Sequence, residues 1–349
     1  MRRGGNAAIR SHSKRDRLRP VVFFFATGFA KVVRRPVAPV APVAPVAGYP
    51  SRMKIALTGG TGFIGRYIAN ELLRRGHQVR AWSRSTPSDD GYDGPVEWFA
   101  GSLDDPEAAA RLVDGCDGLI HAALWRPGDG FRGAEGDVVE FTATNVLGTL
   151  RLLRAAVEHR LQRVVAFSTC AVHESILDDR PLDETHPLWP HSHYGAHKAA
   201  IEAYVHSFAH AEDLAVCALR PSGVYGLARP ARQSKWFELV QRVSAGERIE
   251  VSGGGKEVHA ADVAAAAADL LTVDRARMQG EAFSCCDRYI SRHEVATIAR
   301  ELSGSDATIA GEPKSPKHQI DTSKLQSLGF EFGGTERLRA TIAELLAAA

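Results

Sequence analysis

The stretch Thr58-Gly-Gly-Thr-Gly-Phe-Ile-Gly65 restricts what this chain can fold into more than any other. It follows the short apolar run Lys54-Ile-Ala-Leu-Thr58 and leads into a segment with Ile64, Ile68, Leu72 and Leu73 at helical spacing, which stops near Gly76 as C-cap. A strand, a tight turn and a helix are thereby predicted in immediate succession. Gly59, Gly62 and Gly65 stand where such a turn and the close approach of a phosphate leave no room for a side chain. With Thr61, Phe63 and Ile64 they would offer backbone amides at a helix N-terminus to a pyrophosphate.

The same alternation continues down the chain. Short runs at Gln78–Trp82, Val96–Phe99, Gly118–His121, Arg163–Phe167 and Ala215–Leu219 read as strands, and longer segments of helical period fall between them, one of them from about Asn145 to His159. Stacked βαβ units of this kind predict an α/β fold with a doubly wound parallel sheet. Beyond Gly226 the regularity drops. Pro230, an amphipathic piece around Trp236-Phe237-Glu-Leu239, the run Gly253-Gly254-Gly255 and an Ala-rich helix from Asp262 suggest a small C-terminal substrate lobe. The expected division is a tail over 1–52, a dinucleotide-binding domain over 53–227, and the lobe over 228–349 with a return segment at about 258–290.

The first 52 residues hold 11 Lys/Arg and one acid, Asp16, beside the low-complexity run from Pro36 to Ala47. Removing them from the 43 basic and 41 acidic residues turns a net charge of +2 into about −8 for the rest, so the basicity belongs to the tail. It reads as a separate unfolded arm, with three origins left open: a targeting signal, a nucleic-acid-binding arm, or sequence upstream of a true start at Met53. The apolar run from Val21 to Ala30 is too short to span a bilayer. The expected setting is cytoplasmic, with no membrane and no nucleic acid as partner. Five cysteines without a CxxC pair argue against a disulfide framework or a thiolate metal site.

At the end of the second strand, Trp82-Ser83-Arg84 offers no carboxylate for an adenosine ribose, and Arg84 could bind a 2′-phosphate instead. NADP is therefore preferred to NAD, the alternative being an Arg that tops a strand in solvent. Tyr194 and Lys198 stand at i and i+4, on one face of a helix. A phenol of ordinary pKa near ~10 is a poor acid–base at neutral pH, and a neighbouring ammonium favours its ionised form. His186, His191, His193 and His197 crowd the approach to Tyr194 without any standard metal spacing, and are expected to be solvated loop residues.

Taken in order, Gly59/Gly62/Gly65, His121-Ala-Ala123, Asn145-Val-Leu-Gly-Thr149, Ser168-Thr169, Tyr194/Lys198 and Arg220-Pro-Ser-Gly-Val-Tyr-Gly226 resemble the extended short-chain dehydrogenases/reductases. The resemblance covers nearly everything after Met53. It implies that Tyr194 is the acid–base and that Lys198 holds the nicotinamide ribose and lowers the Tyr194 pKa. Thr169 would hydrogen-bond the reacting oxygen, and Asn145 would be the family's helix-kinking asparagine. It further implies that Ser102 and Leu103 bracket the adenine, that Ala122 and Ala123 adjoin the cofactor, and that Pro221 to Val224 lie beside the nicotinamide amide. Val258-His-Ala-Ala-Asp-Val-Ala264 is similar to the segment that returns the chain to the sheet.

Two departures matter. Where sugar-nucleotide epimerases carry an Arg to clamp the diphosphate, this chain has Gly253-Gly-Gly-Lys256, leaving Lys256 as the candidate. Where nucleotide-sugar dehydratases carry an Asp-Glu pair after the catalytic Thr, it has Cys170-Ala171, which removes the acid and base of an elimination. An exchanging NADP(H) reductase or alcohol dehydrogenase and a nucleotide-sugar epimerase with tightly held NAD both remain. A non-catalytic dinucleotide sensor is disfavoured, because such relatives often lose the Tyr/Lys pair. The substrate is a small molecule, a carbonyl or alcohol and in the epimerase case a sugar or nucleotide-sugar. Relatives often form homodimers through the helices that carry Asn145 and Tyr194.

Overall fold

The computed structural model describes residues 52–85, 91–127 and 135–348. Apart from Arg52 the basic arm lies outside the described residues. All described residues belong to one compact unit, 41–349.

Six strands come first along the chain: β1 (Lys54–Thr58), β2 (Gln78–Ser83), β3 (Val96–Ala100), β4 (Gly118–His121), β5 (Arg163–Phe167) and β6 (Val216–Pro221). They are followed by β7 (Gly223–Tyr225), β8 (Ile249–Glu250), β9 (Gly254–His259), β10 (Ala282–Cys285), β11 (Arg288–Ser291) and β12 (Ile309–Ala310). Seven of these make one sheet in the order β3-β2-β1-β4-β5-β6-β10, and every neighbouring pair in it is parallel. The order reverses between β1 and β4, the position at which an open α/β sheet leaves a crevice beyond its strand ends.

Both faces of this sheet are covered, which is why its strands read as apolar runs rather than as alternation. Along β1, Ile55 and Leu57 enter one core with Ile68 and Leu72 of the helix Phe63–Arg74, while Ala56 enters the opposite core with Leu152 and Ile201. The Ala-rich helix Ala260–Leu270 packs on Phe63–Arg74, since methyl side chains let the two backbones come close. A third core, built from Leu239, Val243, Ile290, Val295 and Leu338 among others, belongs to the later part of the chain.

Two local features differ from the sequence reading. The helix around Asn145 starts earlier: α-helix runs over Val138–Thr142, Ala143–Leu147 forms a π-helical turn, and regular α-helix resumes over Gly148–Glu158. The glycine run is not irregular either, because Gly254 and Gly255 lie inside β9, which pairs with β7 in parallel and with β11 in antiparallel register. The glycines are needed there, since a Cβ on Gly255 would fall 2.1 Å from the Glu257 carboxylate and one on Gly223 would fall 2.4 Å from it.

Candidate active site

The residues singled out from the sequence fall largely beyond the carboxyl ends of the parallel strands, along one edge of the sheet. The turn after β1 is formed by Gly59 at φ +74°, with the Gly62 amide donating to the Gly59 carbonyl at 2.9 Å. A Cβ on Gly59 would lie 2.8 Å from the backbone of Ala122 and Ala123 after β4. Gly62 caps the helix Phe63–Arg74 without any side-chain hydrogen bond, so amides of the first turn are left for an external acceptor. Those features fit a dinucleotide pyrophosphate. Ser102 bonds Asp104 beyond β3, and Leu103 is buried, its carbonyl 2.8 Å from where a Cβ on Gly148 would lie. Arg84, just past β2, is exposed.

A chain of hydrogen bonds ties this turn to the Asn145 region. The Ala123 amide donates to Thr58 Oγ1 at 3.1 Å, Thr58 Oγ1 meets His121 Nδ1 at 2.7 Å, and His121 Nε2 meets Thr149 Oγ1 at 2.8 Å. Thr149 must donate its own proton to the Asn145 carbonyl at 2.7 Å. It therefore accepts from His121, which fixes the Nε2–H tautomer and leaves Nδ1 to accept from Thr58. Burial holds His121 down to about 3, so the ring is neutral and the chain keeps one direction.

Asn145 commits its side-chain amide to backbone. Oδ1 accepts from the Trp125 amide at 2.8 Å, and Nδ2 donates to the carbonyls of Trp125 and Phe141, both at 2.9 Å. The π turn exposes such carbonyls, and this side chain satisfies them. Asn145→Ala is expected to cost about 2–4 kcal/mol, because buried groups lose their partners. Denaturant unfolding measures this, and a cost below about 0.5 kcal/mol would show that the turn stands without Asn145.

Thr169 follows β5 and caps the short 3₁₀ turn Cys170–Val172, its Oγ1 accepting from the Ala171 amide at 3.1 Å. That bond leaves the hydroxyl proton for another acceptor. Tyr194 and Lys198 occupy the first turns of the helix His193–Ala211, which Ser192 caps by accepting from the Gly195 amide at 3.0 Å. Glu174 holds that cap through the Ser192 amide at 2.8 Å. Lys198 Nζ donates to the Phe167 carbonyl at 2.7 Å, so the ammonium is pinned to the end of β5. Burial pulls its pKa down to about 8, against the opposing effect of Glu202. Pro221 ends β6, the Ser222 amide donates to the Cys285 carbonyl at 3.0 Å, and Val224 pairs with Val258.

The histidines are not uniformly solvated. His186 is buried and accepts from the Leu177 amide at 2.9 Å. His197 is also buried, its ring 5.3 Å from Tyr194 and 4.8 Å from Phe141, and burial holds it down to about 3. His197 packs against Tyr194 and His186 against His173, whereas His191 and His193 are exposed.

Sequence reasoning missed a cavity of about 520 Å³ lined by Trp236, Phe237, Leu239, Ile249 and Val251 on its apolar side, and by Lys235 and Glu257 among its charged groups. Burial raises the Glu257 pKa, and Lys235 Nζ, which holds both its oxygens at 2.5 and 2.6 Å, only partly opposes that rise. Trp236 sits at φ +68°, a strained conformation for an aromatic residue. Lys256, the candidate clamp, is not among the lining residues; it alternates with Glu257 along β9 and has Cys286 and Cys170 as electrostatic neighbours.

Residues 55–286 match the model of the NAD dependent epimerase/dehydratase family. The 2-alkyl-3-oxoalkanoate reductase of Stenotrophomonas maltophilia (strain K279a) is 30% identical over 273 residues, covering 76% of this chain and 78% of that protein. The 4-hydroxy-2-methyl-3-oxo-4-farnesyl-3,4-dihydroquinoline-1-oxide ketoreductase of Stigmatella aurantiaca is 36% identical over 180 residues, but the match spans only 50% of this chain and 51% of that protein. The structure of Thermus thermophilus UDP-glucose 4-epimerase in complex with NAD aligns at a TM-score of 0.68 and 24% identity, covering 85% of this chain and 100% of that one. Likeness at that identity speaks for the fold. The glycine turn, the Thr169/Tyr194/Lys198 positions and β10 all fall inside the matched span, and the chain belongs to the NAD-dependent epimerase/dehydratase family of extended short-chain dehydrogenases/reductases.

Proposed function

We propose that the protein is an exchanging NADP(H)-dependent reductase of a ketone flanked by an alkyl-bearing carbon. The observation that carries this is the pairing of a buried, pinned Lys198 with Tyr194 one helical turn earlier, beside a Thr169 hydroxyl whose proton is uncommitted to its own backbone bond. The bound cofactor would supply the hydride. Thr169 orients the carbonyl oxygen, and Tyr194 Oη gives it a proton. The Lys198 ammonium lowers the cost of the phenolate left behind.

Two reductases named above act on 3-oxo compounds carrying a 2-alkyl or 2-methyl group. The apolar wall of Trp236, Phe237, Leu239, Ile249 and Val251 suits such an alkyl chain. Reduction of ethyl 2-methyl-3-oxobutanoate by NADPH in the presence of the full chain tests the reading. NADPH consumption above the cofactor-only rate supports it; inertness towards this and longer 2-alkyl-3-oxo esters counts against it.

Arg84 supports NADP over NAD. A guanidinium on a 2′-phosphate is worth about 1.5–3 kcal/mol, so Arg84→Ala is expected to weaken NADPH at least about tenfold and leave NADH unchanged. Fluorescence titration with both cofactors reads the difference, and equal effects on the two would return Arg84 to a solvated charge.

A homodimer through the two helical stretches is part of the same reading. Val139, Leu147 and Tyr204 are 72%, 47% and 41% exposed there, a concentration of bare apolar side chains that a second copy would cover. Light scattering that finds only monomer at micromolar concentration would remove this element.

A further inference from the structure

Along the helix His193–Ala211, Tyr194, Lys198 and Glu202 recur every four residues and share one face. Lys198 is 4% exposed and Glu202 is 8% exposed. A carboxylate so far from water persists only when its charge is met by partners. Two residues meet it. Arg220, near the end of β6, donates from Nε to both Glu202 oxygens at 2.9 and 3.1 Å and from Nη2 at 2.5 Å. The Ser168 hydroxyl, one residue before Thr169, donates to Oε1.

Arg220 is itself 3% exposed and carries the network outward. Its Nη1 reaches His173 Nε2 at 3.2 Å and the Glu184 carbonyl at 3.4 Å. His173 closes the 3₁₀ turn that Thr169 opens. One carboxylate thus joins the end of β5, the end of β6 and the helix that bears Tyr194. Each of these carries a residue assigned to the reaction: Thr169 after β5, the Pro221–Val224 stretch from the end of β6 into β7, and Tyr194 with Lys198 on the helix.

Buried ion pairs are weak stabilisers, since the desolvation of two charges offsets their attraction. An apolar pair of similar volume would hold these elements together about as well. What an apolar pair would not supply is a negative charge one turn beyond a buried ammonium. The other ionisable groups around Lys198 do not supply it. His121 from β4 and His197 from the same helix are held down to about 3 and are neutral. Beside Glu202 and Arg220, His173 is held down to about 4, and burial raises the Cys170 thiol far above neutrality. The charge of Arg220 is met by Glu202 itself.

We propose that Glu202 is a positioning residue of the reaction centre: gripped by Arg220 and Ser168, it sets the Tyr194–Lys198 turn against β5 and β6 and gives Lys198 its counter-charge. The assignment rests on reading Tyr194 and Lys198 as the acid–base pair, but its test needs no substrate. The full chain is labelled with ¹³Cε-lysine, and the Lys198 resonance is identified by its loss in Lys198→Arg. With burial pulling it down, Lys198 is expected to titrate at about 8 in the wild type. Glu202→Gln is expected to lower that midpoint by about one unit or more, a tenfold change in the protonation equilibrium.

Arg220→Lys loosens the two-pronged grip but keeps a cation on the carboxylate, so the midpoint should not fall. An unchanged midpoint in Glu202→Gln overturns the counter-charge role. Equal falls in Glu202→Gln and Arg220→Lys overturn it too, because loosened packing would then be the common cause. If Glu202→Gln does not fold, Glu202→Asp withdraws the charge by one methylene and should give a smaller fall in the same direction; no fall contradicts the proposal. A Tyr194→Phe variant that still turns over would defeat the acid–base reading while leaving this titration as it stands, so the two failures are separable.

Discussion

Tyr194→Phe is expected to lower turnover about 10²–10⁴-fold, the usual share of a positioned acid–base, while NADPH binds within about threefold of wild type. The phenyl ring keeps its contact with His197, whose ring lies 5.3 Å away and is itself met edge-on by Phe141 at 4.8 Å. Only the hydroxyl is removed. Lys198 remains pinned to the Phe167 carbonyl, so the part proposed for it in cofactor binding would persist. Steady-state rates together with a fluorescence titration separate the two effects. A Phe variant that turns over normally would take the proton from Tyr194 and assign it elsewhere.

Gly65→Ala should have its main effect on cofactor binding instead. A Cβ at this position would lie 1.9 Å from the Gly59 carbonyl oxygen and 2.7 Å from its carbon. Neither can retreat, since Gly59 already stands against the backbone of Ala122 and Ala123. The helix start must move off β1, with an overpacking cost of about 1–3 kcal/mol or more. The amides that would face the pyrophosphate move with it, and NADPH affinity is expected to fall at least about tenfold, beyond what one amide bond is worth. Gly76→Ala is the control. No atom lies within 4 Å of its added Cβ, and its φ of +84° leaves only local strain. It should lower the melting temperature a little and leave cofactor affinity alone. Wild-type NADPH binding by Gly65→Ala would contradict the role given to the turn.

Much of the fold was legible because burial on both faces writes itself into the strands as apolar runs, and β1 to β6 were read to within a residue or two. β10 was missed: it is four residues long and contains Ser284, a polar side chain that the sheet buries almost completely. β9 was missed for a different reason. Its two glycines look like a loop until Glu257 is seen occupying the space above them, and that carboxylate is fixed by Lys235, 22 residues away. His186 and His197 looked solvated because polar spacing alone cannot tell a buried ring from a loose one. Glu202 stands in the sequence at helical spacing from Lys198. Its meaning depends on Arg220, which arrives from a different strand.

The central claim is an exchanging reductase that prefers NADP(H). It is tested most directly by denaturing the purified full chain, assaying for released nicotinamide cofactor, and titrating the protein with NADPH and NADH. The account predicts little released NAD(H) and at least about tenfold tighter binding of NADPH, as a guanidinium–phosphate contact would give. Stoichiometric NAD(H) carried through purification, with no preference for NADPH, would contradict it and turn the site towards an epimerase that keeps its cofactor bound.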